Sequence, residues 1–204
     1  MEHELKQYLI KLDEEGNELI SAGKQLLELI GMTEFSLFCT AILNRTINLN
    51  RGFITLIKDS NYIAAAPLVR LNLDSLLRLF ASTQSEFDYE TFAQKVIGGE
   101  KISRMKDKDK KQLRDFELVK RLKKIKGFSW VDKVYDVGSG FVHLSKNHVK
   151  SSYMIEEETL TGGIRKNDEF ISIEEKIAAT YYMTQASIGI RIFIGDWINL
   201  INQK

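Results

Sequence analysis

Tyr135-Asp136-Val137-Gly138-Ser139-Gly140-Phe141-Val142-His143-Leu144-Ser145-Lys146-Asn147-His148 is the stretch on which the reading of this chain turns. At 3.6 residues per turn, Trp130, Val134, Val137, Phe141 and Leu144 form one apolar stripe. Tyr135, Ser139, His143 and Asn147 fall four apart and make a polar ridge beside it. The spacing predicts a helix from about Ser129 to Asn147. Gly138 and Gly140 weaken such a helix in isolation, so they point to close approach of another helix or a ligand.

Working outward, the same helical spacing recurs along most of the 204 residues. Glu2 to Ile30 carries an apolar face and meets a stop at Gly31. Thr33 caps a second helix reaching about Asp59, with Asn44, Asn48, Arg51 and Thr55 as its polar stripe. The short turn Asp59-Ser60-Asn61 predicts an antiparallel third helix built on Val69, Leu73, Leu76, Leu77 and Phe80. Pro67 either kinks it or marks its first turn. Arg70, Asp74 and Arg78 are four apart on it, with Asp74 placed to bridge two guanidiniums. Gly98-Gly99 end a short helix, and Leu113 to Ile125 restore a helical face up to Gly127.

The pattern breaks between Val149 and Ser172. Tyr153-Met154-Ile155 and Phe170-Ile171 flank a turn region with Thr161-Gly162-Gly163, which predicts a small β-hairpin or ordered loop, placed as a lid after the histidines. Ile188, Ile190, Ile192 and Ile194 alternate as a strand would. The long flanking pattern, with Trp197, Ile198 and Ile201, decides for a helix from about Ile173 to Asn202, capped by Ser172. Its apolar residues cover more than one face, as in a central helix or a subunit interface. The fold class is therefore all-α: one domain, residues 1–204, a bundle of six or seven helices with a hairpin or loop at 149–172 before the last.

Composition narrows the chemistry. A 44% hydrophobic, 28% charged chain with one proline is an ordinary globular one rich in long helices. Its single cysteine, Cys39, makes no intrachain disulfide and no paired-cysteine zinc site, and reads as a small buried hydrophobe. Met1-Glu2-His3-Glu4 does not open a signal peptide and no apolar run spans a bilayer, so the expected location is cytoplasmic, with no membrane partner. The net charge of +1 hides an asymmetry. Met1–Glu34 holds three lysines against eight acidic residues, whereas Lys101–Lys126 holds twelve Lys/Arg against four. That basic run suits a nucleic-acid contact, or equally a solvated face meeting an acidic face of this chain or of a partner.

No metal is expected: His143 and His148 are five apart, about 140° around a helix, and neither Glu-x-x-His nor His-x-x-x-His occurs. Phosphate-loop and dinucleotide fingerprints are absent, and Gly138-Ser139-Gly140 is too short for a nucleophile elbow. No cofactor is implied. What remains is Tyr135, Ser139 and His143 on one face, with cations from the third helix. His143 can exchange protons near neutral pH, while Arg70 or Arg78 can hold a phosphate. Lys146 and His148 add positive or protonatable groups beside them. A histidine hydrogen-bonded within a helix interface is the competing structural reading.

Two pieces of the chain resemble the HEPN superfamily of all-helical proteins. One is the helical hairpin whose second helix begins Asn61-Tyr62-Ile63-Ala64-Ala65-Ala66-Pro67-Leu68-Val69-Arg70. The other is Tyr135, Ser139, then Phe141-Val142-His143 and Ser145. The resemblance implies a dimerising helical bundle of a bacterial defence or toxin–antitoxin context, with RNA or a nucleotide as target and an antitoxin or other protein as partner. Many such proteins are metal-independent ribonucleases whose site pairs an Arg with a His a few residues later on one helix, across a dimer. Here no Arg lies between Arg121 and His143. Only His143 carries over directly; Arg70 is the substitute the fold would have to supply. The expectation is thus a HEPN-like ribonuclease or RNA- or nucleotide-binding protein with Tyr135 and Ser139 orienting His143 and Arg70. The alternative is a non-catalytic interaction module, dimeric through its last helix. A small-molecule pocket under 149–172 is a third possibility.

Overall fold

A computed structural model describes residues 1–143, 145–150, 152–156 and 159–203. Its helices run in the order α1 (Glu2–Ile30), α2 (Glu34–Lys58), α3 (Tyr62–Gln84), α4 (Tyr89–Ile97), α5 (Asp115–Leu122), α6 (Val131–Val142), α7 (Lys146–Lys150) and α8 (Ile173–Asn202). A 3-10 turn lies at Ile102–Arg104, and an antiparallel hairpin, β1 (Tyr153–Glu156) with β2 (Thr159–Gly162), sits between α7 and α8. Among the described residues seven helices have eight residues or more, and the fold is an all-α bundle.

The helix starts follow from side-chain caps. Thr33 Oγ1 accepts the Ser36 N–H (3.2 Å), Asn61 Oδ1 that of Ala64 (3.3 Å), and Ser172 Oγ that of Glu175 (3.2 Å). Each satisfies a donor the first turn would otherwise leave unbonded. α8 packs against α1 and α3, and α2 packs against α1 and α3. Leu12, Leu19 and Leu26 of α1, Leu73, Leu76 and Leu77 of α3, and Ile190 and Ile194 of α8 belong to one buried cluster. The two helix pairs thus share a single core. Of the two readings of α8, a central helix is the one observed within the chain: Tyr181, Ile192 and Leu200 are its exposed large apolar residues.

Two details differ from the sequence reading. The hairpin pairs Tyr153 with Gly162 and Glu156 with Thr159, so Thr161-Gly162 lies in the second strand, not the turn, and Phe170-Ile171 is not a strand. Pro67 sits in the second turn of α3, which continues through it. The polar stripe of α2 is exposed at Asn44, Arg51 and Thr55 and needs no partner inside. Among the polar groups that are buried are Asn50, Asn72 and Ser187. Asn50 Nδ2 donates to Ser187 Oγ (2.9 Å), and Asn72 Nδ2 reaches Ser187 Oγ (3.1 Å) and the Met183 carbonyl (3.3 Å). This knot joins α2, α3 and α8 at the centre of the bundle.

A second buried polar group anchors the segment between the hairpin and α8. The Asp168 carboxylate accepts the Tyr62 N–H at the start of α3 (2.8 Å) and pairs with Lys176 Nζ (2.9 Å). Its own backbone N–H donates to the Ser60 carbonyl (3.0 Å).

The basic segment wraps over α3 and α6 and is organised by Asp107. The Lys111 N–H donates to its Oδ1 (2.8 Å) and Arg121 bonds its Oδ2. The Lys111 bond leads, and with Arg121 it outweighs desolvation, holding the carboxyl below its ordinary value of 3.8. A depressed native pKa contributes stability that is present above the unfolded value and lost as pH falls through the native one. The expected result is that Asp107→Asn melts below wild type at neutral pH, with the gap closing below about pH 4. Thermal melts of both proteins across that range check it; a gap independent of pH contradicts it.

Candidate functional site

The ridge predicted on the 129–147 helix is interrupted. α6 ends at Val142, and His143 is its C-cap in extended conformation (φ −112°, ψ 144°). Two causes act together. Gly138 and Gly140 lie in the last turns, each roughly 1 kcal/mol less favourable than alanine in a helix. Ser145 Oγ then donates to the Gly140 carbonyl (2.6 Å), satisfying one of the acceptors a helix end leaves open. Tyr135 and Ser139 stay on α6, whereas His143 leaves the ridge and is solvent-exposed. The Asn147 side chain lies outside the described residues.

The Ser139 hydroxyl is turned back onto its own helix, donating to the Tyr135 carbonyl (2.7 Å). Tyr135 offers its ring face instead. The Arg70 guanidinium carbon stands 4.5 Å from the centre of that ring. Arg70 Nη2 also pairs with Asp115 Oδ2 (3.3 Å), at the first residue of α5, and its side chain is only 12% exposed.

From there an ion network joins three helices, α2, α3 and α5. Asp115 Oδ1 accepts from Arg78 (2.7 Å), Arg78 bonds Asp74 (2.6 Å), and Asp74 accepts from Arg45 on α2 (3.1 Å). The ladder expected from the four-residue spacing is therefore present in altered form. Asp74 bridges Arg78 to Arg45, and it is Asp115, distant in sequence, that joins Arg70 to Arg78. Burial opposes the charge on Arg78, but Asp74 and Asp115 outweigh it and raise its pKa. The network occupies these cations with carboxylates.

Gly138 is where α3 and α6 touch. A Cβ there would lie 2.9 Å from Arg70 Cβ, a backbone-anchored atom that cannot swing aside. Gly138→Val is expected to cost about 2 kcal/mol, overpacking exceeding the gain in helix propensity. Urea denaturation measures it, and a variant as stable as wild type contradicts the close contact.

The remaining candidates lie past the end of α6. Lys146 is exposed at the start of α7. His148 is half-buried; its Nδ1 accepts the Ser145 N–H (3.4 Å), and its ring meets Phe141 edge-on at 5.8 Å. The fold thus brings Arg70, Tyr135 and Ser139 together and ties Arg78 to Arg70 through Asp115. It leaves His143 and Lys146 on the surface beyond the helix end. The sequence reading missed Asp115, although an acidic residue opening a helix after a basic run was a usable signal. No group of three or more His, Cys, Asp or Glu among the described residues is arranged to hold a metal ion. Cys39 is buried, and burial pushes its thiol well above the ordinary range, leaving it without thiolate character.

Compared with protein-family models, with curated proteins and with solved structures, the chain finds no match in any of the three.

Proposed function

We propose that this chain is a HEPN-like helical protein that binds RNA through its basic 101–126 segment and does not cut it. The carrying observation is the state of the twelve cations there. Lys110, Arg121 and Lys123 pair with carboxylates, while the other nine, among them Lys106, Lys108, Lys111 and Arg114, are exposed and in no ion pair among the described residues. The acidic α1 packs on α8 and α2, whereas α5 packs on α3 and α6, so the acidic face of the same chain does not neutralise this one. A polyanion supplies what the fold withholds. Against cleavage stands Arg70, the phosphate-binding candidate, whose guanidinium is already engaged by Asp115 and Tyr135.

A labelled single-stranded RNA titrated at rising salt tests the reading. Contacts to about five phosphates give a slope near −3.5 in log affinity against log salt. Lys106→Glu/Lys108→Glu/Lys111→Glu is expected to weaken binding about tenfold or more. A salt-insensitive affinity, or one unchanged in that variant, contradicts the proposal.

The catalytic reading has one observation in its favour, the solvent exposure of His143 and of Lys146. In that version His143 moves the proton and the phosphate-binding cations come from a second protomer. Homodimerisation, an antitoxin or other protein partner and the defence setting rest on the family resemblance alone.

A further inference from the structure

A cleft of about 260 Å³ opens between α3, α6 and α8. Its walls are small or apolar: Ala66 and Val69 from α3, Val134 and Gly138 from α6, and Ala178 and Ala179 from α8. Tyr62 packs against Phe141, the two rings edge-on at 5.7 Å, and Val137, Tyr182, Lys133 and Glu175 complete the lining. The Tyr62 residue is 4% exposed, and its backbone N–H is held by Asp168. Its hydroxyl has no hydrogen-bond partner among the described residues. The oxygen is not among the fully buried unpartnered side-chain atoms of the described residues, so it keeps solvent contact and has a proton to donate there. Burial first, then the carboxylates of Glu175 and Asp168, raise its pKa, so the hydroxyl stays protonated and acts as a donor. The same two carboxylates repel an anion there.

We propose that this cleft binds a small, neutral, mostly apolar organic ligand whose single acceptor oxygen takes the Tyr62 hydroxyl proton. At ~30 Å³ per water in the liquid, the volume matches about nine waters, a molecule of roughly ten non-hydrogen atoms. The apolar walls supply affinity and the phenol sets orientation, the usual division of labour in such sites. The site uses no residue of the basic 101–126 segment, so it is separate from the proposed RNA contact.

Three near-isosteric probes test it on the full chain: acetophenone (neutral, one acceptor), cumene (no acceptor) and benzoate (anionic). Binding is followed by chemical-shift titration. Acetophenone is expected to saturate with a dissociation constant below about 1 mM, and cumene and benzoate to bind at least fivefold more weakly. Tyr62→Phe, which deletes only the hydroxyl, is expected to bring acetophenone down to the cumene level while leaving cumene unchanged. Ala178→Phe, at an exposed wall position that leaves the core intact, is expected to abolish both. The proposal is overturned by no saturation with acetophenone, by equal affinity for all three probes, or by unaltered binding in either variant.

Discussion

Asn72→Asp is expected to destabilise the protein by roughly 4 kcal/mol or more at neutral pH, enough to threaten folding. Asn72 is fully buried, and its amide nitrogen donates to Asn50 Oδ1, Ser187 Oγ and the Met183 carbonyl. Its own Oδ1 has no partner among the described residues. The substitution removes the donating group and places a carboxylate among acceptors, and no Lys or Arg among the described residues bonds to the knot. The loss must shrink as pH falls and the buried carboxyl takes up its proton. Asn72→Leu is the control. Asn50 and Ser187 bond each other without Asn72, at 2.9 and 3.1 Å, and the orphaned Oδ1 disappears. That variant is expected within about 1 kcal/mol of wild type, since removing a polar group with an apolar one of similar shape leaves nothing unpaired. Denaturant titrations of both decide the matter. If leucine costs as much as aspartate, packing and not charge governs the site.

Asp168→Ala is expected to cost about 3 kcal/mol. The Asp168 side chain is 4% exposed and that of Lys176 is 16% exposed, so truncation leaves a nearly buried ammonium without its counter-ion. It also strips the acceptor from the Tyr62 N–H at the head of α3. For a chain of this length the loss corresponds to a fall of roughly 6–12 °C in melting temperature. Asp168→Ala/Lys176→Met is expected to recover part of that loss, because the stranded charge goes as well. A single variant that melts within 2 °C of wild type would show that Asp168 does not anchor the segment before α8.

The long helices were legible because their determinants are local. Apolar residues at three and four spacings, Thr33 and Ser172 as caps, the turn at Asp59-Ser60-Asn61 and Gly31 as a stop placed α1, α2, α8 and the start of α3 to within a residue or two. The end of α6 was not legible in the same way. Its apolar stripe runs on past Val142, and although Gly138 and Gly140 were visible as weak points, the Ser145 bond to the Gly140 carbonyl that closes the helix there was not. Partnership between distant residues was the larger gap. Spacing put Asp74 between Arg70 and Arg78, but long-range packing brought Asp115 to Arg70 from 45 positions away. Asn50, Asn72 and Ser187 did carry a local signal, since each sits at helical spacing from buried neighbours such as Phe53, Leu76 and Ile190. A polar residue inside an apolar stripe marks a core contact, and the exposed polar stripe of α2 drew the attention instead.

The claim that most needs testing is that the polar groups around α6 hold the bundle together and do not cut RNA. The measurement is incubation of the purified protein with RNA, first without and then with added divalent metal, beside His143→Ala, with helicity and melting temperature recorded for both. The expected result is intact RNA in every lane and a His143→Ala variant as stable as wild type, because His143 is an exposed residue at a helix end. Metal-independent cleavage by the wild type, lost in a fully folded His143→Ala, would contradict the account and make the chain a ribonuclease.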